Sequence, residues 1–132
     1  MKKTIFRTIL LNVLLILVLS GCSGGIGTDG AAVAVEVYFQ ALVDRDLNGV
    51  TNVTCMAWEE QANLEFDSFS AVTSKIEGLD CQVVSTDGDY AVVECQGVII
   101  ANYGDEDQEF QLQGNRYQTF FEDGEWRMCG YY

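Results

Sequence analysis

Cys81-Gln82-Val83-Val84-Ser85-Thr86-Asp87-Gly88-Asp89-Tyr90-Ala91-Val92-Val93-Glu94-Cys95 is the stretch that decides the fold class. Two runs rich in valine flank a turn-forming centre, and this pattern predicts a β-hairpin. An odd-numbered loop sets Val83 opposite Val93 and Cys81 opposite Cys95. Cys81, Val83, Ala91, Val93 and Cys95 then share one side of the sheet, because strand side chains alternate between faces. Downstream the period-two pattern continues, and four strands are expected, about Ile76–Ser85, Tyr90–Tyr103, Glu109–Phe121 and Glu125–Tyr131. Asp123-Gly124 is a second hairpin signal, and it pairs Phe121 with Trp126 and Thr119 with Met128. Gly114 interrupts the third run. A bulge there would bring Phe110 and Leu112 to the face that carries Tyr117, Thr119 and Phe121.

Upstream of the hairpin the period changes. From Ala31 to about Arg45, Val35, Tyr38, Phe39 and Leu42 recur at three- and four-residue steps, which predicts a helix with one apolar face. Thr28 or Asp29 is placed to cap it. Asp46 is placed to cap a second helix running from Leu47 toward Cys55 or Trp58, with Leu47, Val50 and Thr54 on one side. Residues 59–74 fit either a third short helix or a loop that covers the core with Leu64, Phe66 and Phe69. The layout is therefore α+β: two or three N-terminal helices packed on one face of a curved four-stranded antiparallel sheet.

The N-terminus has a separate logic. Met1-Lys2-Lys3 and Arg7 form a basic start, and Thr8 to Leu19 form an apolar run too short to cross a bilayer, which takes about 20 apolar residues. Leu19-Ser20-Gly21-Cys22 then has the form of a lipobox. Residues 1–21 are thus expected to be a signal peptide, with Cys22 as a lipidated N-terminus and residues 22–30 as a flexible tether. The expected location is the extracytoplasmic face of a membrane, or the outer membrane or periplasm in a host with two membranes. A lipid anchor holds the protein there. Residues 31–132 form one domain.

Cysteine usage agrees with export. Of five cysteines, four remain beyond Cys22, namely Cys55, Cys81, Cys95 and Cys129. An even number in an exported chain implies two disulfides with three possible connectivities. The hairpin register favours Cys81–Cys95, which leaves Cys55–Cys129, and mixed pairings or free thiols are the alternatives. Zinc fits poorly, because no CxxC spacing occurs. In the acidic loop, Asp105, Asp107 and Glu109 alternate like the first ligands of a calcium loop. Phe110 and Arg116 then stand where a glycine and a bidentate glutamate are required, so no metal or other cofactor is expected.

The whole chain carries 7 basic and 20 acidic residues, a net charge of −13. Beyond the signal only Arg45, Lys75, Arg116 and Arg127 are basic, against all 20 acidic residues, which gives −16. Such a surface repels phosphate backbones, so nucleic acid is not an expected partner. The sequence contains no histidine, which excludes serine–histidine and cysteine–histidine catalysis and the usual zinc ligands.

Val35-Glu36-Val37-Tyr38-Phe39-Gln40-Ala41-Leu42-Val43-Asp44-Arg45-Asp46 and the closing Glu122-Asp123-Gly124-Glu125-Trp126-Arg127-Met128-Cys129-Gly130 together resemble the nuclear transport factor 2-like (cystatin-like, SnoaL-like) superfamily. The resemblance spans about residues 31–132. It implies a cone-shaped domain with a pocket between sheet and helices, and homodimers formed through the sheet. Tyr38 falls near the position of a catalytic tyrosine in the isomerases of that superfamily. No aspartate here matches their base, so no catalytic residue is assigned. The expected role is a non-enzymatic binding or accessory module acting on a protein or small-molecule partner. The alternative is a small-molecule enzyme or carrier with a pocket around Tyr38, Trp58 and Trp126. A filled interior favours the first, and an open cavity on the order of several hundred Å³ with convergent tyrosine and carboxylate groups favours the second.

Overall fold

The computed structural model describes residues 27–132. The expected signal peptide, Cys22 and most of the tether lie outside them. Helix α1 spans Asp29–Asp44, α2 spans Leu47–Val53, a short 3-10 turn covers Met56–Trp58, and α3 spans Glu59–Ser70. Five strands follow: β1 Thr73–Asp87, β2 Tyr90–Asn102, β3 Asp107–Gln111, β4 Arg116–Glu122 and β5 Glu125–Tyr131. The order across the antiparallel sheet is β1-β2-β4-β5, with β3 also paired to β2. This is the α+β arrangement expected from sequence, with helices preceding a curved open sheet.

The apolar stripe of α1 sets the core. Val35, Tyr38, Phe39 and Leu42 are all buried, and α1 packs across β1, β2, β4 and β5. Thr28 precedes α1 but makes no side-chain cap; its carbonyl accepts from the Ala31 N–H instead. Asp46 likewise precedes α2 without a side-chain cap, and α2 ends at Val53, short of Trp58. On α2, Val50 is buried while Leu47 is largely exposed, so the expected apolar side of this helix is narrower than its spacing suggested. The ambiguous segment after Trp58 is a true helix, α3. It directs Ala62 inward with Phe66 and Phe69, and leaves Leu64 exposed.

The central hairpin has the expected register, but a different device produces it. Cys81 faces Cys95 and Val83 faces Val93, yet the strands run on to Asp87 and Tyr90 around a two-residue turn. A bulge between Val83 and Ser85 supplies the odd residue that the loop was expected to carry. The last hairpin follows its signal directly: Asp123 and Gly124 both take positive φ, 52° and 85°, as a type I′ turn requires. Phe121 pairs with Trp126 and Thr119 with Met128.

The third expected strand is two strands, not one. Leu112 donates its N–H to the Gly97 carbonyl, Asn115 donates to the Leu112 carbonyl, and Gly114 takes φ 88°. A tight turn therefore separates β3 from β4, and both lie end to end along the same edge of β2. Opposite that break, β1 carries a second bulge at Gly78, whose φ is 65°. Gly97 faces it so closely that a Cβ there would lie 2.9 Å from the carbonyl oxygens of Glu77 and Gly78. The sheet bends at this crossing.

Two disulfides brace the domain, Cys81–Cys95 within the hairpin and Cys55–Cys129 between the helical layer and β5. Beside the second, the Cys55 N–H donates to the Met128 carbonyl at 2.9 Å, and Arg127 Nη1 donates to the Asn52 carbonyl at 2.7 Å. The separations are 74 residues for Cys55–Cys129 and 14 for Cys81–Cys95. Loop entropy makes the longer closure worth more by ~1.4 kcal/mol. Removing Cys55 and Cys129 together should lower the unfolding free energy more than removing Cys81 and Cys95 together, by about that amount in urea titrations. Equal losses would show that loop closure is not what these bonds supply.

Candidate functional site: an apolar cavity with one shared carboxylate

Beyond the bend the wide end of the sheet stands away from the helices and leaves a cavity of about 680 Å³. Phe39 of α1 closes its floor, and Glu65, Ser68 and Phe69 of α3 form one wall. Ile99 and Ala101 of β2, Phe110 of β3, Leu112 and Tyr117 form the other. Val72, Tyr103, Glu109, Gln111, Asn115 and Tyr131 complete the lining. The Phe39 and Tyr117 rings meet edge to face at 5.0 Å, and Tyr117 meets Tyr131 at 5.5 Å, so the aromatic wall is continuous.

Glu65 is the polar centre of this wall. The Tyr38 hydroxyl donates to its Oε2 at 2.8 Å, and the Tyr131 hydroxyl donates to the same oxygen at 3.0 Å. Oε1 has no hydrogen-bond partner among the described residues. Burial pushes the Glu65 carboxyl above the usual carboxylate range, and the two tyrosine hydrogen bonds pull against that rise. Burial also pushes the Tyr38 hydroxyl upward, reinforced by the neighbouring Glu65 charge and the hydrogen bond to it. The Trp58 N–H opposes this from nearby, although Nε1 is buried and not at hydrogen-bonding geometry with any described residue. Tyr131 is raised by burial first and by Glu65 second, and burial pushes Tyr117 up to about 12. Both tyrosines on Glu65 are thus neutral donors across the physiological range.

The three residues expected around the pocket lie elsewhere, and none belongs to the lining of this cavity. Tyr38 is fully buried beneath it and reaches the wall only through its hydrogen bond to Glu65. Trp58 stacks edge-on with Tyr131 at 5.8 Å and covers Gly130, where a Cβ would come within 3.0 Å of its ring. Trp126 is at the other end of the domain, donating Nε1–H to the Gly27 carbonyl at 2.8 Å and packing on Phe121. Phe39, Phe69 and Tyr117 are expected from sequence as core or sheet-face residues, but neither they nor Glu65 and Tyr131 are expected as pocket residues. One signal was present: Ala62, Glu65, Phe66 and Phe69 follow the i, i+3, i+4, i+7 pattern, which puts a carboxylate within an inward stripe.

Among the described residues, one group of three side chains has metal-ligand spacing, Cys55, Cys129 and Glu122. Its sulfurs are joined in the disulfide, which removes them as ligands. In the acidic loop, Asp107 accepts a hydrogen bond from Asn102 at 2.7 Å. No described helix is long and apolar enough to cross a membrane.

No family model matches the sequence, and no curated protein matches it. Solved structures share its fold. A proposed dehydratase of the NTF2-like family from Streptomyces avermitilis is similar with a TM-score of 0.57 at 15% identity, over 78% of this chain and 96% of that one. An LEH-like epoxide hydrolase from M. tuberculosis gives 0.51 at 17% identity, over 77% and 83%. The intermembrane space region of the chloroplast protein ARC6 gives 0.55 at 15% identity, over 83% and 97%. The domain therefore has the nuclear transport factor 2-like fold. At such identities the likeness extends to fold alone.

The protonation of Glu65 is readable in stability. A carboxyl whose pKa rises on folding favours the folded state when protonated; that advantage is complete below its ordinary value of 4.5 and is lost as pH climbs through the folded value. Glu65→Gln is neutral at every pH. The melting temperature of the variant minus that of the wild type should therefore become more positive between pH 4 and pH 8. A flat or falling difference would contradict the burial of this carboxyl.

Proposed function

We propose that the domain is a small-molecule-binding module, held at the outer face of a membrane by a lipidated Cys22, with its pocket turned away from the bilayer. One observation carries the binding function: an open cavity of about 680 Å³ whose apolar walls converge on Glu65 with Tyr38 and Tyr131 behind it. A cavity of this size suits a small organic ligand. Glu65 Oε1 offers an anchoring point between the aromatic rings, with Ser68, Glu109, Gln111 and Asn115 as the other polar groups of the lining. A module working through its surface alone has no use for such a cavity, so the pocket-based alternative of carrier or enzyme is the better reading.

Orientation follows from where the chain enters. Gly27 is fastened to Trp126, and Thr28 and Asp29 lie beside Ser85 and Thr86, next to the β1–β2 turn. The cavity is at the opposite end, beside Phe39 in the second half of α1 and Tyr103 at the far end of β2. A helix the length of α1 spans ~24 Å. Five residues from Cys22 to Gly27 reach at most ~17 Å. A lipid on Cys22 would hold the Trp126 end near the headgroups and present the cavity to the aqueous side.

One feature favours an enzyme as the second reading. Glu65, with its pKa raised in an apolar wall, has the character of a general acid or base. Carrier and enzyme differ in whether the bound compound is released unchanged, which product analysis after incubation resolves.

Native mass spectrometry of the acylated protein taken from cells tests the proposal. A diacylglyceryl mass on Cys22 and a bound small molecule are expected. Ser68→Trp, which fills the cavity from an exposed helical position, should reduce the ligand-bound fraction at least tenfold. Val33→Ala at the anchored end should leave it unchanged. Equal occupancy in both variants, or an unmodified Cys22, would overturn the corresponding half of the proposal.

A further inference from the structure

We infer that the ligand is an organic cation, an amine or quaternary ammonium group on a small apolar body; this rests on the cavity being a binding site. Six aromatic rings line the cavity: Phe39, Phe69, Tyr103, Phe110, Tyr117 and Tyr131. Three of them keep exposed surface at its mouth, Tyr103 at 53%, Phe110 at 44% and Tyr131 at 43%. Ring faces carry negative electrostatic potential, and a cation above them is attracted by up to about 2 kcal/mol per well-placed ring once water is removed.

The charged groups have the same sign as the ring faces. Glu65 and Glu109 both line the cavity, and no lysine or arginine does among the described residues. Glu109 and Tyr103 flank the loop that carries Asp105, Glu106 and Asp107, so the approach is acidic as well. Arg45 is the cation behind the wall, and its guanidinium is held by the Val72 carbonyl at 2.6 Å and Thr73 Oγ1 at 3.3 Å. An anionic ligand would enter against two carboxylates with no countercharge. A neutral apolar ligand would cover Glu65 Oε1, which is not sealed from solvent in the free protein, without supplying a donor, and that is unfavourable. A cation satisfies that oxygen and the ring faces together.

Charge can be separated from shape with two isosteres, benzyltrimethylammonium and neopentylbenzene, which differ by nitrogen for carbon. Equilibrium dialysis with the full-length protein should give at least tenfold tighter binding of the cation. Glu65→Gln should weaken the cation about tenfold and leave the neutral isostere unchanged. Phe110→Leu, at an exposed position that cannot disturb the core, keeps apolar area but removes a π face; it should weaken the cation several-fold and again spare the neutral compound. If the neutral isostere binds as tightly as the cation, or both variants affect the two compounds equally, the cation inference is overturned while the pocket stands as a binding site. If neither compound binds, both the inference and the small-molecule function fall.

Discussion

The close passage of Gly97 over the Glu77–Gly78 backbone is the constraint on which the rest depends. Two carbonyl oxygens sit 2.9 Å from where a Cβ would be, and Gly97 holds φ at 119°, a conformation side chains disfavour. The bulge at Gly78 lets β1 cross at this point, and the β3–β4 turn sits directly opposite, tied through the Leu112 N–H to the Gly97 carbonyl. One end of the sheet, with Ala91, Val93 and Thr119, packs on α1 as a filled core. The other end, from Ile99 onward, bends away. Without the bend the sheet would lie flat on the helices, and the cavity would close.

The helical layer needs its own restraint to hold the gap. Cys55–Cys129 and the backbone bond from Cys55 to Met128 fix the start of the 3-10 turn on β5, and α3 extends from there across the opening. Trp58 seats on Gly130 at this joint, where only a glycine leaves room for its ring. Glu65 then arrives one to two turns along α3, facing the hydroxyls of Tyr38 below and Tyr131 beside it. The buried Tyr38 hydroxyl needs an acceptor, and the carboxylate oxygen that serves it also accepts from the more exposed Tyr131. The arrangement is a structural brace, and it leaves the second oxygen for another donor, as the proposed ligand would supply.

Much of the fold was legible because period and turn chemistry are local. The helical stripe Val35, Tyr38, Phe39 and Leu42 and the Asp123-Gly124 turn follow from neighbours within a few residues. The facing of Cys81 with Cys95, expected from an odd-numbered loop, comes instead from the bulge between Val83 and Ser85. The break at Gly114 was visible as an interruption, but its form depends on Gly97 accepting from Leu112, a contact no local pattern reveals. The site was less legible. Trp58 and Trp126 drew attention as large aromatics, yet both serve as packing, one on Gly130 and one on Phe121 and Gly27. Glu65 lay in the segment that fitted helix or loop equally well. Only once it is helical do Ala62, Phe66 and Phe69 show that its carboxylate points inward. Its two tyrosine partners come from positions 27 and 66 residues away.

The most direct measurement is a methyl-resolved NMR titration of the protein with benzene, a solute small enough to enter any apolar opening. If the bend at Gly97 holds a cavity open, the Val72, Ile99 and Leu112 methyls shift saturably while those of Val37 and Leu47, exposed on the helices and outside its lining, stay in place. Unmoved resonances at Ile99 and Leu112 would mean that the sheet rests on the helices there and that no cavity opens beside them.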